Sequence, residues 1–534
     1  MEHQQALLRI TSGPTQQLQG DPRGGLPIQD SFTPVPSTFW PTSMTMTKAI
    51  LGAGMMVIPK AFQMLGAVLC SLFLILVAGL TWFTISGLVY AAEKTGKRTF
   101  AAVVRTCCGK PAKWGLLVAM CANCFGLCVV YVVILGDCLL GEAPEFAGLI
   151  RQIRPSLDPA VWYMGRKPVL AATTAGLLAP LALFANLNGR GMGVVNAVGV
   201  VSVVLLAAAM VVLAVAAHLQ GLAYQIPLFP DWELLRGPGH TTLAGVLSII
   251  AVLPILLNAD ICHQAVFPDP CPQGTTHLLT PLSAHLPPPR PAPVVLHPLS
   301  RLSAMAILHP RSHSPLHTLR PALQGPAPRA SLHAMTILQP YSRRGMNAVV
   351  AVALATCNTL YLCIALSTVA AFGPALADDV LNNLDVGDMA QLVGPFPAHA
   401  IALVVRMGYF TSLVGSFLLM LYPLRQAVLE MVLRSRYHKM ADPDAHWVSR
   451  PVTLLLVCCV YGVAVFVPSL WLLLSLVGSA AATMMGFIFP SLVILVMARK
   501  PRWTHTVKRC TAVVVAIIGG FLFINGFAVF LVKL

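Results

Sequence analysis

Apolar residues along this chain gather into long runs separated by short polar and charged breaks. The length of the runs, more than any periodicity within them, decides the class of fold. Runs of about 18 to 28 residues are long enough to cross roughly 30 Å of hydrocarbon at 1.5 Å per residue. The pattern predicts membrane-spanning helices at 43–65, 67–92, 114–140, 168–188, 193–217, 242–265, 346–371, 398–430, 452–468, 470–497 and 510–532, about eleven in all. Two of them carry breakers. The first reads Thr47-Lys48-Ala49-Ile50-Leu51-Gly52-Ala53-Gly54-Met55-Met56-Val57-Ile58-Pro59. The sixth contains Leu253-Pro254-Ile255 and ends in Asn258-Ala259-Asp260-Ile261-Cys262-His263. The expected fold is therefore an all-α polytopic membrane protein built from two inverted repeats of five helices, with helices 1 and 6 broken and one helix following the repeats.

Composition agrees with a bilayer. The chain has 57% hydrophobic and only 10% charged residues, and a mean hydropathy of +0.76, which excludes an ordinary soluble enzyme. The net charge of +16 would suit a nucleic-acid partner, but none is expected. The bases sit between apolar runs, where they orient the protein with Lys and Arg in cytoplasmic loops. A cytoplasmic N-terminus puts Lys94, Lys97, Arg98, Arg105, Lys110 and Lys113 inside, together with Arg434, Arg436, Lys439 and Arg450. The same choice leaves the loop bearing Asp378, Asp379, Asp385 and Asp388 outside. The 14 cysteines avoid the outer loops, so no extracellular disulfide framework is implied.

Residues 1–42 are polar, show no cleavable leader and read as a disordered cytoplasmic N-terminus. Helices 1–6 occupy 43–268. Residues 269–344 form a Pro-, His- and Arg-rich block expected to be a disordered cytoplasmic insert, and helices 7–11 fill 345–534. From 270 onward the insert has no Asp or Glu, and Ala304-Met305-Ala306-Ile307-Leu308-His309-Pro310 is echoed by Ala334-Met335-Thr336-Ile337-Leu338-Gln339-Pro340. A passive insertion, a retained intron and a regulatory loop are all open readings of it. Its histidines, such as His277, His285 and His297, lack the short spacing of a zinc site, and no metal site is expected.

A helix broken at membrane depth exposes backbone N–H and C=O groups. That is tolerated where they line a cavity, and half-helix N-termini can then hold a carboxylate while carbonyl ends hold a cation. The glycines could equally serve close helix packing. Matching breaks in helices 1 and 6 favour the first reading and place a substrate at Gly52, Ala53, Gly54, Met55, Pro254 and Asn258. Lys48 has two readings: an intramembrane base acting in cation or proton coupling, or a side chain snorkelling to the cytoplasmic interface. Asp260 and His263 are either members of a proton relay or part of a solvated helix end. No phosphate loop, hydrolase triad order or HExxH motif is present, so no enzyme is expected.

The Gly52-Ala53-Gly54 segment, Cys262-His263 with Val266-Phe267-Pro268, Ser342-Arg343-Arg344-Gly345-Met346, Tyr422-Pro423-Leu424-Arg425, and the run from Val467-Pro468-Ser469-Leu470-Trp471 through Leu476-Val477-Gly478-Ser479 to Phe487-Ile488-Phe489-Pro490-Ser491 together resemble the amino acid/auxin permease family. Within it the chain is most similar to the sodium-coupled neutral amino acid transporters of animals and the vacuolar amino acid transporters of plants and fungi. The resemblance covers about 43–268 and 342–534. It implies a secondary transporter in the plasma membrane or in a vacuolar or lysosomal membrane, with an amino acid as substrate and H⁺ or Na⁺ as coupling ion.

It also implies that the substrate binds between helices 1 and 6, with a cation near helices 1 and 8. There Thr411, or else Ser412, stands where relatives supply a hydroxyl ligand, although both hydroxyls could simply bond back to their own helix. Where sodium-using relatives carry Asn or another small polar residue, this chain has Lys48. His263 matches a family histidine. The absence of an evident anionic cluster in the spans favours a neutral substrate. A sensor that binds an amino acid without net transport is the alternative from another class. No organic cofactor is expected, and nothing points to a particular oligomeric state.

Overall fold

The computed structural model describes residues 39–52, 54–97, 99–141, 148–154, 161–184, 189–230, 242–266, 342–377, 379–436, 446–467, 470–498 and 503–533. The N-terminal segment and nearly all of the 269–344 block therefore lie outside the described residues.

The first apolar run forms two helices, α1 (Phe39–Ile50) and α2 (Gly54–Leu65), separated at Leu51 and Gly52. Helix α1 begins at Phe39, ahead of the boundary at residue 42 expected for a disordered terminus. There follow α3 (Ala67–Thr95) and α4 (Phe100–Leu140). Helix α4 starts well before the expected residue 114 because Thr99 caps a turn, accepting from Ala102 N at 3.2 Å. The chain then kinks at Gly109, whose φ of 92° only glycine adopts without strain. Next come α5 (Leu149–Ile153), then α6 (Arg166–Thr173) and α7 (Ala179–Phe184) joined by a π-turn, and α8 (Gly189–Leu219).

The sixth apolar run is again two helices, α9 (Thr242–Asp260) and α10 (His263–Val266). The rest of the chain gives α11 (Arg343–Phe372), α12 (Val386–Val393), α13 (Pro395–Arg436), α14 (His446–Phe466), α15 (Leu470–Val477), α16 (Phe489–Met497) and α17 (Trp503–Lys533). Two π-turns, Gly478–Ala482 and Met484–Ile488, join α15 to α16.

Among the described residues, eight helical stretches are long and apolar enough to cross a membrane. The expected runs at 43–65, 168–188 and 242–265 are helical too over their described residues, but divided. No strand occurs among the described residues. The exterior is apolar, with Leu72, Ile75, Leu455, Ile517 and Ile524 facing outward. The interior is mostly apolar too, but it also takes in Lys48, Asp260, His263 and Arg406. An apolar exterior with the ionisable groups kept inside is the arrangement that hydrocarbon surroundings select.

The sixth helix breaks in a different place from the one its proline suggests. Pro254 stays inside α9, and the interruption falls at Ile261 and Cys262. Membrane helices carry prolines where a neighbour accommodates the disturbed backbone. Here Gly478, at the start of the first π-turn, lies against the Pro254 carbonyl, where any Cβ would overlap it.

Candidate functional site

The site is built where the two broken helices meet. At the end of α1 the backbone turns sharply: Leu51 N bonds Thr47 O at 2.8 Å, and Gly52 N bonds Ile50 O at 2.7 Å. Helix α2 then restarts at Gly54, with the unpaired N–H groups that any helix start carries. Gly54 lies directly on the second broken helix, since a Cβ there would stand 3.1 Å from both Cα and Cβ of Ala259. A Cβ on Gly52 would come 2.8 Å from the Tyr131 hydroxyl. Glycine at these two positions is what allows the backbones and Tyr131 to come together.

One side chain spans both breaks. The Tyr361 hydroxyl, on α11, lies 3.0 Å from Ile50 O and 3.1 Å from Ala259 O. A phenol has a single proton, so the two carbonyls share it. The last carbonyls of α1 and α9, which have no partner within their own helices, are thereby drawn to one point.

Lys48 lies on α1 just before the break and is only 1% exposed. Its ammonium donates to Ser412 Oγ at 2.6 Å and to Ser416 Oγ at 2.8 Å, both on α13. Ser416 donates on to Ser412 O at 3.1 Å, and Ser412 to Gly199 O of α8 at 3.4 Å. Gly199 has no side chain to obstruct the lysine; a Cβ there would meet Lys48 Cε at 2.5 Å. Lys48 thus ties α1 to α13 across α8 and does not snorkel to an interface. Among the described residues no carboxylate lies within ion-pair distance of it.

Asp260 ends α9 and is 0% exposed. Its Oδ1 accepts from Asn358 Nδ2 of α11 at 3.0 Å, while its Oδ2 has no hydrogen-bond partner. Asn358 is itself anchored, giving the same amide to Leu354 O at 3.0 Å. His263 begins α10, also fully buried. The Thr84 hydroxyl on α3 lies 3.0 Å from both Leu80 O and Thr81 O and 2.9 Å from His263 Nε2, where the histidine tautomer sets which group donates. His263 fastens α10 to α3, and its Nδ1 has no partner. Neither residue is at a solvated helix end: the break lies between them, inside the protein.

The sequence-based candidates are thus only partly brought together. Gly52, Gly54 and Met55 are at the first break, and Met55 is buried; Ala53 lies outside the described residues. Asn258 faces Gly478, its Oδ1 unpartnered, and Pro254 is further from the break against the same glycine. Ser412 holds Lys48. Thr411, the next residue and the preferred hydroxyl ligand, is exposed and bonds back to Met407 O at 2.9 Å. The helical step of about 100° between neighbours turns it away. Sequence reasoning missed Ser416, Tyr131, Asn358 and Tyr361. The signal for the first was its i, i+4 spacing from Ser412 on an otherwise apolar span, and for the last two their i, i+3 spacing on α11.

A helical membrane protein with two broken helices meeting at their unwound segments is the class this arrangement defines. Residues 35–251 and 335–532 match the family model described as transmembrane amino acid transporter protein. The chain belongs to that family. It is 24% identical over 490 residues to amino acid transporter AVT6B of Arabidopsis thaliana, covering 91% of this chain and 87% of the relative. It is 24% identical to mouse solute carrier family 38 member 8, covering 97% and 100%. With sodium-coupled neutral amino acid transporter 7 of Xenopus laevis it shares 33% identity over 141 residues, 26% of this chain and 30% of that protein. Among solved structures, a mutant of the manganese transporter of Eremococcus coleocola overlaps 91% of this chain and 87% of its own at 10% identity, with a TM-score of 0.47. MhsT in complex with L-phenylalanine overlaps 91% and 98% at 11% identity, with a TM-score of 0.46.

Proposed function

We propose that this chain is a secondary active transporter that moves amino acids by alternating access between its two broken helices, coupled to protons through Lys48. The observation that carries this reading is the Lys48 ammonium held by Ser412 and Ser416 where α1, α8 and α13 meet. A lysine there supplies from the chain itself the positive charge that a bound sodium ion would supply. Losing its proton removes that charge and weakens its hold on the two serine oxygens, which loosens α1 from α13. Protonation is in this way linked to the position of the first half-helix, the element expected to move.

The substrate's main-chain groups have complementary partners at the breaks. Its carboxylate suits the N–H groups at the start of α2, at Gly54 and Met55, where the helix dipole also favours negative charge. Its ammonium suits the carbonyl ends of α1 and α9 at Ile50 and Ala259. In this reading Tyr361 holds the two carbonyl ends in register. The N-terminus is cytoplasmic, and the membrane is the plasma membrane or that of a vacuole or lysosome.

The test is uptake of a panel of radiolabelled amino acids into proteoliposomes of the purified protein, under an imposed pH or sodium gradient. Accumulation that an uncoupler abolishes and that ignores sodium is the expected result. Accumulation that requires sodium and ignores pH would overturn the role given to Lys48, and binding without accumulation under either gradient would point to a sensor.

A further inference from the structure

We infer that Asp260 is the group that selects the substrate's side chain, and that it accepts a positively charged nitrogen, as carried by lysine-, ornithine- or arginine-like amino acids. This rests on the transporter reading above and names the substrate class for the same site. The broken helices make their close approach at Gly54 and Ala259, and Asp260 is the next residue. Tyr361 holds the Ala259 carbonyl at 3.1 Å, and Asn358, one turn earlier on the same helix, holds Asp260 Oδ1 at 3.0 Å. One carboxylate oxygen is thereby fixed in position and the other, wholly buried, is left without a donor.

A buried carboxylate with one oxygen unpaired calls for a donor from outside the chain. Lys48 is not its partner: two of its three ammonium protons go to Ser412 and Ser416, and among the described residues no ion pair joins the two side chains. Among the described residues the groups in electrostatic reach of Asp260 are Cys262, Cys357 and Tyr361, two thiols and a phenol, and no ion pair joins it to a cation.

The surroundings favour an organic cation over a bare metal ion. An inorganic cation needs several oxygen ligands at once. Beside Asp260 the Asn358 amide turns its nitrogen to the carboxylate and keeps its own oxygen unpartnered, and the nearby thiols are poor ligands for hard cations. A substrate ammonium or guanidinium brings its own donors and needs only the one free acceptor. With the main-chain carboxylate at the start of α2 and the main-chain ammonium at the carbonyl ends, Asp260 is left for the side chain. Asp379, the other buried acid among the described residues, caps a short turn at Leu381 N in the segment between α11 and α12.

The decisive probes are pairs that differ by the charged nitrogen alone. Wild-type proteoliposomes would be tested for competition by lysine against norleucine and by arginine against citrulline, with uptake of labelled lysine as the readout. Lysine and arginine are expected to compete about tenfold or more better than their neutral partners. In Asp260→Asn that ratio should fall to near one, and in Asp260→Glu it should persist.

Equal competition within each pair by wild-type protein, with some neutral amino acid taken up, would overturn this inference and leave the transporter reading standing. That arm needs no variant, so a misfolded Asp260→Asn does not decide the outcome. Sodium-dependent uptake by the wild-type protein that Asp260→Asn makes independent of sodium, with the lysine preference intact, would also overturn it, in favour of an inorganic cation. Failure of wild-type protein to take up or bind any amino acid would overturn the transporter reading itself, and this inference with it.

Discussion

The two broken helices each carry a buried ionisable side chain next to the break, and the two are treated differently. Lys48 before the first break has two hydroxyl acceptors on a neighbouring helix. Asp260 at the second break has one amide donor and one empty oxygen. Burying a charge is tolerable only when it is met by partners. A cation held by two hydroxyls of a neighbouring helix acts as a joint between helices. A group left half-satisfied is poised for a ligand. On this difference the first break is read as the coupling side of the carrier and the second as its selective side.

The largest expected effect comes from Lys48→Met. It removes the ammonium that joins α1 to α13 and leaves Ser412 and Ser416 without their donor, at a cost of about 1–3 kcal/mol. Proton-driven accumulation in proteoliposomes should be lost, while exchange of labelled for unlabelled substrate across the same membrane persists. Retained accumulation would erase the contrast between the two breaks. Next is Gly54→Val, which drives a branched side chain into Ala259 and should separate the broken helices. Overpacking of this kind costs about 1–3 kcal/mol, readable as a lower melting temperature together with lost uptake.

Tyr361→Phe is milder, since it deletes one hydroxyl shared by Ile50 and Ala259. About 1 kcal/mol of stability is at stake, and substrate affinity, measured by competition, should fall more than the melting temperature does. The smallest effect is expected from Thr411→Val. Its hydroxyl bonds only its own helix at an exposed position, so stability should stay within about 0.5 kcal/mol of wild type and the pH dependence of uptake should not move. A Thr411 variant that abolished coupling while Ser412→Ala did not would reverse the assignment made here.

How much of this was legible in the sequence depends on the range of the interactions concerned. The Gly52-Ala53-Gly54 break is a local property: glycine weakens the helix wherever it occurs, and α1 does stop at Ile50. The Pro254 break was misplaced because a proline's effect in a membrane helix depends on its neighbour, and Gly478 lies far away in the chain. Ser412 and Thr411 were indistinguishable as a dipeptide, and only the rotation of α13 against α1 chose between them. Lys48 likewise had two destinations until the packing of Gly199 and the two serines fixed one.

By itself the sequence determined the class of protein, because the length of an apolar run against the thickness of hydrocarbon is a one-dimensional criterion. It also determined the break in the first helix, since glycines weaken their own segment, and it marked the sixth helix without placing its break. Only the tertiary structure decided that Lys48 is inside and held by Ser412 and Ser416, that Tyr361 joins the two breaks, and that Asp260 keeps one oxygen free. Each of these is a contact between residues distant in the chain, and whether a buried charge has a partner is a property of the space around it, which no single segment contains.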